Sequence, residues 1–94
     1  MAIQSFRHRG LQALYETGSK RGVPPAFTSK IRRMLTAIDV ARTVSEVELY
    51  PGWKLHPLDG DYAGFWGITV TGNWRLVFEF EHGEASNLDY TDYH

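Results

Sequence analysis

Apolar residues recur at helical spacing in the first part of the chain and at strand spacing in the rest. In "HRGLQALYETG", Leu11, Leu14 and Tyr15 fall at i, i+3 and i+4, which predicts a helix with Gly18 as its C-terminal stop. Pro24-Pro25 opens a second helix, because proline suits a first turn whose amide hydrogens lack partners. Phe27, Ile31, Met34, Leu35 and Ile38 form its apolar stripe, with Lys30 and Arg33 outside it. Ile3 to Phe6 fit a short strand ahead of both helices. "TVSEVELYPGWKL" is a less regular link, with a turn of helix expected around Val44 to Val47.

From there the pattern changes. Trp53 to Leu58 reads as a strand, with His56 before a proline that favours extended backbone. "GFWGITV" and "NWRLVFEFE" are strands rich in aromatic and β-branched residues, and Gly72-Asn73 between them signals a tight turn. "HGE" supplies the next turn and "ASNLDYTDYH" the last strand. Helices followed by hairpins imply an α+β fold, in which two N-terminal helices pack on one face of a small, mainly antiparallel sheet. The other face is left bare, either solvated or available for binding. Ninety-four residues fit one domain, 1–94.

Composition narrows this picture in two ways. The chain has no cysteine, so a disulfide framework or a zinc–thiolate site is excluded, and no apolar run resembles a signal peptide or membrane span. The expectation is a soluble protein of the cytoplasm. The net charge of −1 hides an asymmetry. Residues 1–33 hold seven Lys and Arg against Glu16 alone, whereas residues 34–94 hold three against ten Asp and Glu. A basic N-terminal face that attracts a polyanion is one reading, and a dipolar but inert surface the other.

Alternation along Trp74 to Phe80 puts Trp74, Leu76, Phe78 and Phe80 on one face and Arg75, Val77 and Glu79 on the other. The apolar face should meet the helices, so Arg75 should project from the bare one. In the last strand Leu88, Tyr90, Asp92 and His94 share a side, with Tyr93 opposite, and Lys54 and His56 share a side in theirs. Together these residue types suit metal-free phosphodiester cleavage. A ribose 2′-hydroxyl attacks phosphorus, helped by a general base, a general acid and a fixed cation. Histidine fills either proton-transfer role, and arginine matches two phosphate oxygens. Tyrosine stacks or donates, and aspartate orients an imidazole. Each residue also has a structural alternative. His56 suits an edge strand, Arg75 could pair with Glu79, and the terminal Asp-Tyr-His could be a polar strand end. A His56/Asp92/His94 metal site lacks any ligand-spacing motif. His8 and His82 read as surface residues. Trp53, Trp66 and Trp74 read as packing residues, one of which could line a groove.

"SFRHRGLQALYETGSKRGVP", "RRMLTAIDVA", "KLHPLDGDYAGFW", "TGNWRLVFEFEHGEA" and "DYTDYH" resemble, in order and over essentially the whole chain, the HigB toxins of the RelE/ParE superfamily. The resemblance implies helices on a curved antiparallel sheet and a ribosome-dependent mRNA endonuclease that needs no metal or other cofactor. It implies a helix-turn-helix antitoxin of the HigA type as partner, with operator DNA bound only through that antitoxin. The family's active residues fall on His56, Arg75, Asp92, Tyr93 and His94. By analogy Arg75 stabilises the transition state, His56 and His94 share proton transfer, Tyr93 positions a nucleotide and Asp92 orients its neighbours. Lys54, Arg9, Lys20 and Arg21 are the cations expected to meet RNA or the ribosome.

Relatives commonly carry "HPLKGD" where this chain has "HPLDGD", so Asp59 replaces a cation beside the expected phosphate site. That predicts a slower toxin. Two other functions compete: a ParE-like inhibitor that binds DNA gyrase without catalysis, and a decayed toxin kept as an antitoxin-binding partner.

Overall fold

The computed structural model describes residues 2–93. Helix α1 spans Arg9–Thr17 and helix α2 spans Thr28–Val40. Strands β1 (His56–Pro57), β2 (Trp66–Thr71), β3 (Trp74–Glu81) and β4 (Glu84–Asp92) form one sheet in the order β1-β2-β3-β4, every pair antiparallel. Short 3₁₀ turns at Pro25–Phe27, Val44–Leu49 and Gly60–Tyr62 fill the connections.

Local chemistry accounts for the helix ends. The His8 side chain caps α1 by accepting a hydrogen bond from the Leu11 amide, so it is not the simple surface residue that its neighbours suggest. Gly18 closes α1 in the left-handed conformation, with amides returning to the carbonyls of Ala13 and Leu14. Gly10 and Gly22 lie backbone against backbone. A Cβ on Gly10 would sit 2.2 Å from the Gly22 carbonyl oxygen, so the start of α1 can touch the α1–α2 loop only without side chains.

The stripe expected on α2 is the stripe that is buried. Ile31, Met34, Leu35 and Ile38 join Leu11 and Leu14 of α1 against Ile68, Val70, Leu76, Phe78, Ala85 and Leu88 of the sheet. Lys30 lies outside it, as expected, and its Nζ donates to the Val70 carbonyl at 2.7 Å.

Left-handed residues at two places depart from regular alternation. Trp53 to Leu58 yields only a two-residue strand, because Lys54 adopts a left-handed φ of 54° that breaks the ladder before His56. The alternation that would put Lys54 and His56 on one side therefore does not run through Lys54. In β4, Asn87 is also left-handed, at φ 54°, and the β3–β4 register slips between Val77 and Glu79. This bulge lets Ala85 and Leu88, three positions apart, both face the core. Residues near the N-terminus also pair in parallel with β4, through bridges Ile3 to Ala85 and Phe6 to Leu88, so β4 is not an edge strand.

The face away from the helices is not bare. Leu58, Phe65 and Val77 form a second buried cluster there, with Tyr62 and Tyr93 packed against it. Val77, expected on an exposed face, is fully buried because the segment from Leu58 to Phe65 folds back over the sheet.

Candidate active site

Cross-strand register builds the site. His56 pairs with Gly67, Gly67 with Val77, and Val77 with Asp89, so these four form one row across the sheet. Thr69, Arg75 and Thr91 form the neighbouring row. Partners in a row share a face, which places His56 and Arg75 together on the side of the small cluster. Gly67 has a steric reason to be glycine. A Cβ there would meet Leu58 Cδ2 at 3.0 Å, and Leu58 lies over this spot as part of the cluster.

His56 is held in one tautomer. Its Nδ1 lies 2.8 Å from the Lys54 carbonyl oxygen, which can only accept, so Nδ1 carries a hydrogen and, in the neutral ring, Nε2 presents the lone pair. The left-handed turn at Lys54 belongs to this arrangement, since it sets the course of the chain two residues before the imidazole. The Lys54 side chain is exposed beside it.

Arg75 is anchored at the β2–β3 turn. Its Nη1 donates to the Gly72 carbonyl at 2.6 Å and to the Trp74 carbonyl at 3.3 Å. In place of an ion pair to Glu79, the guanidinium binds these turn carbonyls, and the Glu79 carboxylate accepts from Asn87 Nδ2 at 2.6 Å. Arg75 Nε and the hydroxyl of its cross-strand neighbour Thr69 are buried with no hydrogen-bond partner among the described residues. One cross-strand pair thus holds two buried polar atoms without partners, one of them on a cation, which is uncommon in a folded interior.

The end of β4 closes the cleft. The Tyr93 amide donates to the Asn73 carbonyl at 2.8 Å, and its hydroxyl accepts from the Asp59 amide at 3.2 Å. Its ring meets Tyr62 edge-on at 6.1 Å. A cavity of about 380 Å³ opens here, lined by Asp59, Gly60, Asp61, Tyr62, Asp92 and Tyr93. Three carboxylates therefore line this cavity, which lies where the loop after β1 meets the end of β4. Asp92 pairs with Trp74, on the opposite face from Arg75, and reaches the cleft only at this rim. His94 lies outside the described residues.

The other expected cations stand elsewhere. Arg9, Lys20 and Arg21 are exposed on α1 and the loop after it, in the layer across the sheet from His56 and Arg75. Arg7 takes a place that its sequence context did not suggest, with its guanidinium 5.1 Å above the Phe65 ring of the cleft-side cluster. Nothing local signals that contact, because it joins residues 58 positions apart. Thr69 and Gly67 carried no signal either, since their roles come from register alone. Among the described residues no group of three His, Asp or Glu side chains is arranged to hold a metal ion. Nor is any helix long and apolar enough to cross a membrane.

The profile of RelE-like toxins of the type II toxin–antitoxin system HigB matches residues 4–94. The chain belongs to the HigB toxin family. Membership implies an antitoxin partner. Among HigB relatives, the chain is 47% identical to Endoribonuclease HigB of Proteus vulgaris over 94 residues, covering 98% of this chain and 99% of that one. It is 30% identical to Toxin HigB-1 of Vibrio cholerae serotype O1, over all of this chain and 98% of the relative. Solved structures confirm the RelE/ParE-like fold expected for a HigB chain. The YoeB–YefM complex from Staphylococcus aureus aligns with TM-score 0.58 at 16% identity, over 97% of both chains. A YoeB/ParE toxin from Agrobacterium tumefaciens aligns with TM-score 0.55 at 18% identity, over 97% of this chain and 99% of the other.

Proposed function

We propose that this chain is a single-domain toxin, 1–94, that cuts mRNA on the ribosome by metal-independent general acid–base catalysis. The observation that carries the reading is that His56 and Arg75 share one face of the sheet, in neighbouring rows of β1 and β3, with Tyr93 packed on the same face. His56 Nε2 exchanges a proton with the ribose 2′-hydroxyl or the departing 5′-oxygen, and His94 takes the complementary role. The Arg75 guanidinium, already oriented by two carbonyls, receives the charge that grows on the phosphoryl oxygens. The buried Thr69 hydroxyl adds a donor beside it. Tyr93 holds the nucleotide at the mouth, and Asp92 orients the end of β4. Lys54, Arg9, Lys20 and Arg21 contact RNA phosphates, the last three on a surface distinct from the cleft.

The partner is a HigA-type helix-turn-helix antitoxin, operator DNA is bound only through it, and the site of action is the ribosome with mRNA in its decoding site, in the cytoplasm. Mapping mRNA ends after induction, with and without ribosomes, tests the core of this proposal. Cleavage in codon register that requires ribosomes and disappears in Arg75→Ala supports it. Growth arrest without any new mRNA ends would instead favour a gyrase-binding inhibitor.

A further inference from the structure

Of the thirteen Phe, Trp and Tyr rings, only Tyr50 and Trp74 are exposed, and Trp74 stands at the start of β3, next in sequence to Arg75 and on the opposite face of the sheet. It is 41% exposed, whereas Trp53 is buried and Trp66 half-buried, so it is not a packing residue like the other two. Leaving an indole in water is unfavourable, and a loose one would fold down onto apolar surface. Here the ring is fixed in place. It stacks on Tyr90 with centroids 4.8 Å apart and planes at 16°, and Tyr90 is met edge-on by His8 at 5.9 Å and 88°. His8 in turn is immobilised as the cap of α1. A pile of three rings thus rises from the helix layer and ends at Trp74.

The position of that end matters as much as its exposure. Trp74 immediately precedes Arg75, and its own carbonyl is one of the two that hold the Arg75 guanidinium. The other is that of Gly72, in the same turn, and Asn73 of this turn binds the Tyr93 amide. Indole and guanidinium therefore leave the same strand end on opposite faces of the sheet. In single-stranded RNA a base is separated from the neighbouring phosphate only by its ribose. A chain whose phosphate rests on Arg75 would carry an adjacent base past Trp74.

We infer that Trp74 is a nucleobase-stacking platform that receives an unpaired base of the RNA bound at the cleft. The inference rests on the endoribonuclease reading and extends it with a binding contact outside the reacting groups. Because every base has a π-face, the platform adds affinity and register without selecting one base by hydrogen bonds. Tyr90 and His8 act through Trp74 by holding its plane.

The test compares wild type with Trp74→Ala and Trp74→Phe on ribosomes programmed with a defined mRNA. Loss of one stacked base corresponds to roughly a tenfold rise in KM in Trp74→Ala, with kcat within about twofold, while Trp74→Phe retains most of the affinity. A second readout uses an uncleavable 2′-O-methyl RNA hexamer. It should quench indole fluorescence in wild type, and the quenching should be largely absent in Trp74→Phe. Sedimentation with programmed and empty ribosomes separates the sources of the base. A defect in Trp74→Ala confined to programmed ribosomes identifies a base of the mRNA, and a defect with both identifies one of ribosomal RNA. If Trp74→Ala matches wild type in KM, sedimentation and hexamer binding, the platform is refuted. A wild type that quenches with the hexamer but never cuts programmed mRNA would refute the nuclease reading and leave the platform standing.

Discussion

The two faces of the sheet bury apolar groups to very different ends. On the helix side, eighteen buried residues from both helices, the sheet and the linking segments form one continuous core. On the other side three buried residues, Leu58, Phe65 and Val77, support two tyrosines and a short loop. The large core supplies the stability of the chain. The small cluster lies on the face that carries His56 and Arg75, packs against Tyr62 and Tyr93, and contributes little to total burial. Stability and site geometry are thus set on opposite sides of the same strands, and substitutions should separate them.

The largest effect is expected from Phe78→Ala. Phe78 is fully buried on the helix side, and its loss should cost about 3–5 kcal/mol of stability in denaturant unfolding. A variant that unfolds like wild type would break the assignment of stability to that face. Next comes Arg75→Ala, which should slow cleavage by about a hundredfold to a thousandfold while leaving the unfolding midpoint in place. If the midpoint falls in step with activity, Arg75 belongs to the scaffold rather than to the chemistry. Leu58→Ala should lie between these types. It should cost about 2 kcal/mol and lose more activity than that destabilisation explains, because Leu58 covers Gly67 and leads into the loop held by Tyr93. Activity that tracks folded fraction alone would show that the cluster has no positioning role.

Asp59→Lys should accelerate cleavage by roughly tenfold, the equivalent of about 1.4 kcal/mol. It removes one of three carboxylates at the mouth and keeps the backbone amide that binds Tyr93. Equal or slower cleavage would mean that the acidic rim does not oppose RNA.

The smallest effect is confined to alkaline pH and to the helix side. Partial burial, the hydrogen bond to Asp39 and the Asp39 charge push the Tyr15 phenol up from 10.0 to about 12. The unfolded chain then loses this proton before the folded one. The contribution of Tyr15 is complete below pH 10 and is lost as pH rises to about 12. Tyr15→Phe should flatten that part of the stability profile without changing activity at neutral pH. An unchanged slope would place the titration elsewhere.

Local patterning revealed both helices, the two long hairpin strands and the stripe that makes the main core, because each depends on residues a few positions apart. It also placed Arg75 and Tyr93 on the face away from the helices. What it missed depends on backbone conformations that side-chain periodicity does not encode. The left-handed residues Lys54 and Asn87 interrupt β1 and shift the register of β4. The small cluster was hidden because Leu58 and Val77 meet only when a loop folds back over the sheet. Arg7 and Thr69 acquired their surroundings from strands distant in sequence. Lys54 was noticed for its charge, whereas its carbonyl is what holds the His56 ring.

The parallel pairing between residues near the N-terminus and β4 also orders events in time. The Ser5 hydroxyl accepts from the Asn87 amide across 82 positions, and Gln4 and Arg7 donate to the carbonyls of Ala85 and Leu88. The strand that carries Asp92 and leads into Tyr93 is synthesised long after its neighbour has left the exit tunnel. Loop closure over that span comes late in folding. A nascent chain halted before β4 leaves β3 and the N-terminal segment without the strand that joins them, and without Tyr93, so aborted translation should yield no working toxin inside the cell that makes it.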